Sequence, residues 1–218
     1  MIIRIYKKEF TRQNFAKQNL NGFTLVEILV VVTIVVILSL AIANFGRDIF
    51  WQNYIWSRTL IAESEAKVAM RRLIAELRTA EPSSTGTYPI ESASQNNLIF
   101  YSDLNNDGKR ERLRYWLDGR TLRRGRVSPT GQPYVYDIGT ESFSIVVNDL
   151  INSNNLIFSY YNRSYDGTAS STPLAEPIEV KNIRLVKVEF LIDANSLQAP
   201  APFYLSSQVM LRNLKDNL

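Results

Sequence analysis

The 218-residue chain contains no cysteine and no histidine. Without cysteine it forms no disulfide, so an exported domain must draw its stability from packing alone. Without histidine it has no Ser-His-Asp or Cys-His catalysis and none of the usual zinc ligand sets. A phosphate-cradling loop of the GxxxxGK[ST] type is also missing, as is any internal repeat. No acid–base constellation stands out, and the composition points away from an enzyme. Net positive charge is in shorter supply than the totals suggest. Lys and Arg number 25 against 21 Asp and Glu, a formal charge of +4 and a pI near 9.3. Arg4, Lys7, Lys8, Arg12 and Lys17 against Glu9 account for all of that excess within residues 1–22. The remaining chain is balanced, so whole-chain basicity does not imply a nucleic-acid partner.

Charge is missing altogether from residues 28–46, and this stretch organises the rest. Residues 28–38 read ILVVVTIVVIL. About 20 such residues, rising ~1.5 Å each, cross the ~30 Å hydrocarbon core of a bilayer as a helix. Glu27 sits at the head of the run. A carboxylate in a span costs ~2.5–3.5 kcal/mol at the centre and less near an end, so it calls for a role and a partner. The basic residues before the run stay cytoplasmic. Arg47 and Asp48 cancel just after it. The reading is a single pass with residues 47–218 outside.

Helical spacing continues past the span. Ala66, Met70, Leu73 and Leu77 form one stripe, with Ala62, Ala69 and Ile74 beside it. Glu63–Lys67 and Arg72–Glu76 are i,i+4 ion pairs expected on the wet side. Pro82 and the polar residues after it end the pattern, so one helix of about 55 residues is expected, amphipathic in its second half. Phe50, Trp51, Tyr54 and Trp56 cluster just past the span, as an interfacial aromatic belt or a subunit contact. Residues 82–96 read as a loop. From Asn97 the period becomes two, with strands expected at 98–104, 111–117 and 121–127 joined by tight turns. Residues 143–150 are ambiguous between strand and helix. Further strands are expected at 156–161, 180–192 and 203–211. The fold class is therefore α+β, one long N-terminal helix laid across an antiparallel sheet.

Two local features are candidates for binding. Asp103, Asn105 and Asp107, followed by Gly108 and with Glu111 beyond, match the opening of a calcium loop. The match then fails, because Arg114 stands where a bidentate acid closes such loops, and Asp/Asn-Gly also suits a plain tight turn. The second feature is a basic hairpin. Arg110, Arg112 and Arg114 share one strand face, and Arg120, Arg123, Arg124 and Arg126 follow on the next strand. Such a strip can meet the phosphates of DNA or another polyanion, an acidic neighbouring subunit, or only solvent.

The string Gly22-Phe23-Thr24-Leu25-Val26-Glu27, between a basic leader and an uninterrupted apolar run, resembles a type IV prepilin signal. The resemblance implies cytoplasmic-side cleavage at Gly22–Phe23 by a prepilin peptidase, methylation of the new terminus at Phe23, and a register-setting role for Glu27 in assembly. Later segments, MRRLIAELRTA, LIFYSDLNNDGKRERLRYWLDGRTLRRG and IRLVKVEFLID, resemble large minor pilins and the J-type pseudopilins of type II secretion. The implied organisation is a leader at 1–22, a transmembrane and assembly helix at 23–46, its amphipathic continuation at 47–81, a loop at 82–96 and a sheet domain at 97–218. The implied partners are the prepilin peptidase, other pilin or pseudopilin subunits and inner-membrane lipid, with no cofactor other than the calcium candidate. Three other readings remain open. One is a membrane-anchored extracytoplasmic protein whose basic hairpin binds DNA or another polyanion. Another is a secretory signal cut after Ala43, since Ala41-Ile42-Ala43 fits the small-residue pattern, and the third is a plain unprocessed anchor.

Overall fold

Helix α1 runs over Leu25–Arg78, 54 residues, in agreement with the length read from periodicity. The structure, a computed structural model, describes residues 22–152, 156–165, 167–168, 171–194 and 201–211, with the side chain of Asp48 excepted. The leader's basic residues therefore lie outside the described residues. The chain divides into two units, one ending at Phe50 and the other beginning at Trp51. In the first, α1 is apolar all round. Every residue from Leu25 to Phe45 is exposed, including Leu29, Ile34, Leu38 and Ile42. A helix with no polar side has no preferred face to bury in a water-soluble core.

In the second unit α1 becomes one-sided. Ala66, Ala69, Met70, Leu73, Ile74 and Leu77 are all buried, so the expected stripe is the packed one. Ala62, at its margin, is half-buried. The helix ends at Arg78, short of Pro82, and Ala80 makes a single antiparallel bridge to Ser102.

The strands are β1 (Ile90–Ala93), β2 (Asn97–Ser102), β3 (Glu111–Asp118), β4 (Thr121–Val127), β5 (Ser142–Val147), β6 (Phe158–Tyr161), β7 (Leu185–Ile192) and β8 (Phe203–Met210). They form two antiparallel sheets where a single one was expected. β1-β2-β3-β4-β5 is a meander, and β6-β7-β8 is separate. Short β1 falls within the stretch read as loop, and 142–147 resolves to strand. At 180–192 a 3-10 turn, Val180–Asn182, precedes β7, so the strand is shorter than its apolar run. Tight turns fix the meander's register. Asp118 pairs with Thr121 across Gly119, whose φ of 60° suits glycine.

One core serves α1 and both sheets. Leu73 and Leu77 of the helix share it with Phe100, Leu113, Tyr115 and Leu122 of the meander and with Phe158, Val186, Val188 and Phe190 of the second sheet. The rings of Phe100 and Tyr115 stack with centroids 6.1 Å apart.

Within this core lies a charged contact that corrects the sequence reading. Glu76 is buried rather than on the wet side. Its Oε2 accepts the Tyr115 hydroxyl at 2.6 Å and Arg124 Nε at 3.0 Å, and its Oε1 accepts Arg124 Nη2 at 2.9 Å and Arg72 Nε at 3.0 Å. Arg124 is itself buried. Burial first, then the charge of Glu76 and its hydrogen bond, push the Tyr115 hydroxyl far above its ordinary pKa, so it stays a neutral donor. Removing one partner of a buried pair strands the other, at about 3–5 kcal/mol, whereas an apolar replacement of the whole group is close to neutral. Arg124→Met alone should therefore lower the urea midpoint of the full-length chain in detergent sharply. The triple variant Glu76→Leu, Tyr115→Phe, Arg124→Met should recover most of that loss.

Candidate functional site

Gly22, Phe23 and Thr24 lead into α1 without helical structure. The Thr24 carbonyl accepts the Ile28 N–H at 3.2 Å, which makes Thr24 the N-cap. Thr24 Oγ1 accepts the Glu27 N–H at 3.2 Å, and Glu27 Oε2 accepts the Thr24 N–H at 3.5 Å, the long end of hydrogen-bond geometry. This reciprocal Thr-x-x-Glu arrangement is a capping box. It was not among the expectations drawn from the sequence, although the spacing Thr24-Leu25-Val26-Glu27 carries the signal. The helix dipole adds a favourable term for a carboxylate in the first turn. The Glu27 carboxylate is thus held one residue from the Phe23 nitrogen, the atom that a cut at Gly22–Phe23 would turn into an ammonium.

Gly22 has open space around it, and a Cβ there would meet nothing within 4 Å. Its backbone does not require glycine either, since its φ is outside the left-handed region. Any requirement for glycine at this position comes from whatever acts on the bond, not from the fold. Downstream, α1 is long and apolar enough to cross a membrane. Thr33 does not interrupt it, because its hydroxyl donates to the Leu29 carbonyl at 2.8 Å.

The calcium-loop residues lie in the turn between β2 and β3. Asp103 accepts the backbone N–H groups of Asp107 and Gly108, at 3.2 and 2.9 Å. Asp107 accepts Lys109 N at 2.8 Å and Asn105 Nδ2 at 3.0 Å. These bonds, the Lys109 backbone first, lower the pKa of Asp107. Glu111 is buried, and its carboxylate accepts Leu104 N at 3.1 Å and Arg126 Nη2 at 2.5 Å. Among the described residues no three Asp or Glu side chains gather as a metal site. The turn is held by its own hydrogen bonds, as an Asn/Asp-Gly turn is.

The seven arginines do not share one surface. Leu113 opposes Arg126 and Tyr115 opposes Arg124, so these two arginines lie on the core side of the meander. Arg112, Arg114 and Arg123 lie on the other side, opposite Val127, Gly125 and Trp116. Each of the seven has a carboxylate of its own chain nearby. Arg110 binds Glu81 at 3.0 Å, and Arg112 makes a forked contact with Glu91 at 2.7 and 2.8 Å. Arg114 reaches Glu141 at 2.6 Å while stacking over Trp116, 4.0 Å from the ring centroid. Arg120 is 4.0 Å from Asp149 and donates to the Asp193 carbonyl at 2.9 Å. Arg123 lies 2.8 Å from Asp118 as an ion pair without hydrogen-bond alignment. Arg124 and Arg126 take Glu76 and Glu111. Gly125 makes room for the Arg114 contact, because a Cβ there would overlap the Glu141 carboxylate.

Residues 17–43 match a family model described as the prokaryotic N-terminal methylation motif. No curated protein matches the chain. The match covers the capped head of α1 and its apolar run, and makes this N-terminal segment type IV prepilin-like.

Two predictions arise from these contacts. Losing a threonine N-cap costs about 1 kcal/mol, so Thr24→Ala should speed amide exchange at the first turn of α1 about fivefold while Thr24→Ser leaves it near wild type. Hydrogen–deuterium exchange of the full chain in detergent reads this directly. Separately, burial alone would raise the pKa of Glu91, but its bonds to Arg112 and Tyr101 and the Arg112 charge outweigh it and lower the value. The stability this supplies is present above the ordinary glutamate range and disappears as pH falls through the lowered folded-state value. Glu91→Gln should therefore flatten the acid limb of the stability–pH curve in that window.

Proposed function

We propose that this protein is a prepilin whose leader is removed at Gly22–Phe23 and which is then assembled, as a minor pilin or minor pseudopilin, into a type IV pilus or type II secretion pseudopilus. The observation that carries the reading is the Gly22–Glu27 string at the head of a capped helix whose run from Ile28 to Phe45 is uncharged and exposed, in a chain whose second unit is α+β. A methylation motif of this kind is a substrate for a prepilin peptidase, and its bearers are structural subunits. The chemistry is accordingly that of a substrate and a packing element. Cleavage creates a cation at Phe23, and Glu27 already stands beside that position. Pairing the two, within one chain or between neighbours, offsets the cost of placing either charge in an apolar assembly.

The capping box separates two roles of Glu27. Glutamine preserves the box but not the charge, since Gln serves at its third position as well as Glu. In cells with an active prepilin peptidase, intact-mass analysis should find a chain beginning at methylated Phe23, and without the peptidase it should find the full leader. Gly22→Ala should block or slow the cut without changing the fold of the sheet domain. Glu27→Ala and Glu27→Gln should both be cut yet enter filaments poorly. An uncut chain beside active peptidase overturns the reading, and so does a chain beginning at Asn44. Normal incorporation of Glu27→Gln would show that its charge has no part in assembly.

A further inference from the structure

The second sheet has one open edge. The bond from the Leu211 N–H to the Arg184 carbonyl sets the alternation between β7 and β8, so Phe203, Leu205, Ser207 and Val209 bond to β7. Tyr204, Ser206, Gln208 and Met210 turn their N–H and C=O groups the other way, and these meet no partner among the described residues. The opposite edge is closed, since the outward Phe158 N–H and Tyr160 carbonyl bond to Gln95 and Leu174. Open edges are ordinarily blunted by a lysine, a proline, a bulge or a short length. Strand β8 has eight residues, FYLSSQVM, with no charge, no proline and unbroken register to β7. Where β8 finishes there is a cavity of about 270 Å³, bounded by Tyr165, Leu185, Met210 and Leu211 together with Arg163 and Arg184. Leu185 and Leu211 are buried beneath it, while Met210 is 58% exposed. Tyr165 is held as a wall. Its ring packs on Tyr161 at 4.5 Å, and its hydroxyl donates to Gln208 Oε1 at 3.0 Å. The described lining carries two arginines and no carboxylate.

We infer that this edge and cavity together receive the C-terminal end of another protein. Its extended tail adds to β8 as a parallel strand, its large apolar last residue fills the cavity, and its carboxylate meets the arginines. Main-chain bonds along an open edge give such a complex its affinity, and a side-chain pocket gives it selectivity. The charge of the cavity sets the direction. Strand β8 runs toward the cavity, so a parallel tail arrives there with its carboxylate and an antiparallel one with its ammonium. Arg163 and Arg184 attract the first and repel the second. Both guanidiniums also have contacts within the chain, among them Arg184 Nη1 to the Lys181 carbonyl at 2.7 Å. Each has five N–H donors, so one contact does not exhaust it. The size of the cavity suits a single side chain, since sites for small molecules ordinarily run to about 300–1,000 Å³. An added strand lies about 4.8 Å from β8, which brings its last residue over Met210 and into the cavity. The inference goes beyond the function proposed above and does not depend on the cut at Gly22–Phe23.

The full-length chain in detergent micelles is offered a library of short random peptides with free C-termini and, separately, the same library amidated at the C-terminus. Bound peptides are sequenced by mass spectrometry. The free library should be enriched in peptides whose last residue is aliphatic or aromatic, and the amidated library should show no enrichment. The dissociation constant of the best peptide is then followed by fluorescence anisotropy. Arg163→Gln and Arg184→Gln should each weaken it about tenfold, as loss of a charge-assisted bond does. Ser206→Pro removes only an outward N–H, so it should abolish binding while the urea midpoint stays near that of the original chain. N-methylating the peptide amides that face β8 should have the same effect with the protein untouched, and N-methylating the alternate amides should not. Hexanoate, a carboxylate on a short apolar tail without the peptide backbone, should bind far more weakly. Absence of enrichment, equal capture of the amidated library, binding indifferent to N-methylation, or hexanoate binding as tight as the peptide's would each overturn the inference.

Discussion

The unit that begins at Trp51 depends on the contact between Glu76 of the helix and Arg124 of β4. It is the charged link between α1 and the core face of the meander, and it is closed by the Tyr115 hydroxyl. Burying such a group is costly unless every lone pair is used. Four donors converge on one carboxylate here, so that condition is met. The contact also selects how α1 lies. Hydrophobic residues such as Leu73 and Leu77 would tolerate a small slide or rotation against Leu113 and Phe100, but a buried carboxylate with fixed donors would not. Apolar packing supplies the stability of this unit, and the Glu76 group determines which packing is adopted.

The arginines of the meander follow the same logic nearer the surface. A run of eight basic side chains in 18 residues looks like a polyanion site when read along the chain. In the fold each arginine of the hairpin faces an acid, and several of those acids come from distant segments, among them Glu81, Glu91 and Glu141. The net result is a laced sheet whose charges are largely internal partners. Pairs as exposed as Arg110–Glu81 contribute little each, whereas the forked Arg112–Glu91 contact, with its buried guanidinium, contributes more.

At the other end of the helix the controlling interaction is local. The capping box makes Thr24 the last non-helical residue, and so leaves Gly22 and Phe23 as non-helical backbone ahead of a rigid rod of hydrogen bonds. Glu27 serves the backbone of its own chain before any cut is made. On the function proposed above, the same residue that stabilises the helix start would also neutralise the new terminus, and both demands would hold it in place.

The sequence by itself determined the elements whose signals are local. The 54-residue helix, its buried stripe, the turn at Gly119 and the alternation along β7 and β8 all follow from periodicity, caps and turn residues, because those forces act between near neighbours. The capping box was equally legible and depends on four consecutive residues. Tertiary structure decided everything that depends on a distant partner. Glu76 sits four residues from Arg72, and along the helix that reads as a solvated pair. Its burial follows from Arg124, 48 residues away, reaching the same point. The separation of β6-β7-β8 from the meander, and the division of the arginines between two faces, were likewise settled by strand register. A shift of one residue there exchanges the faces, and no composition or spacing within a single strand encodes which face the helix will cover.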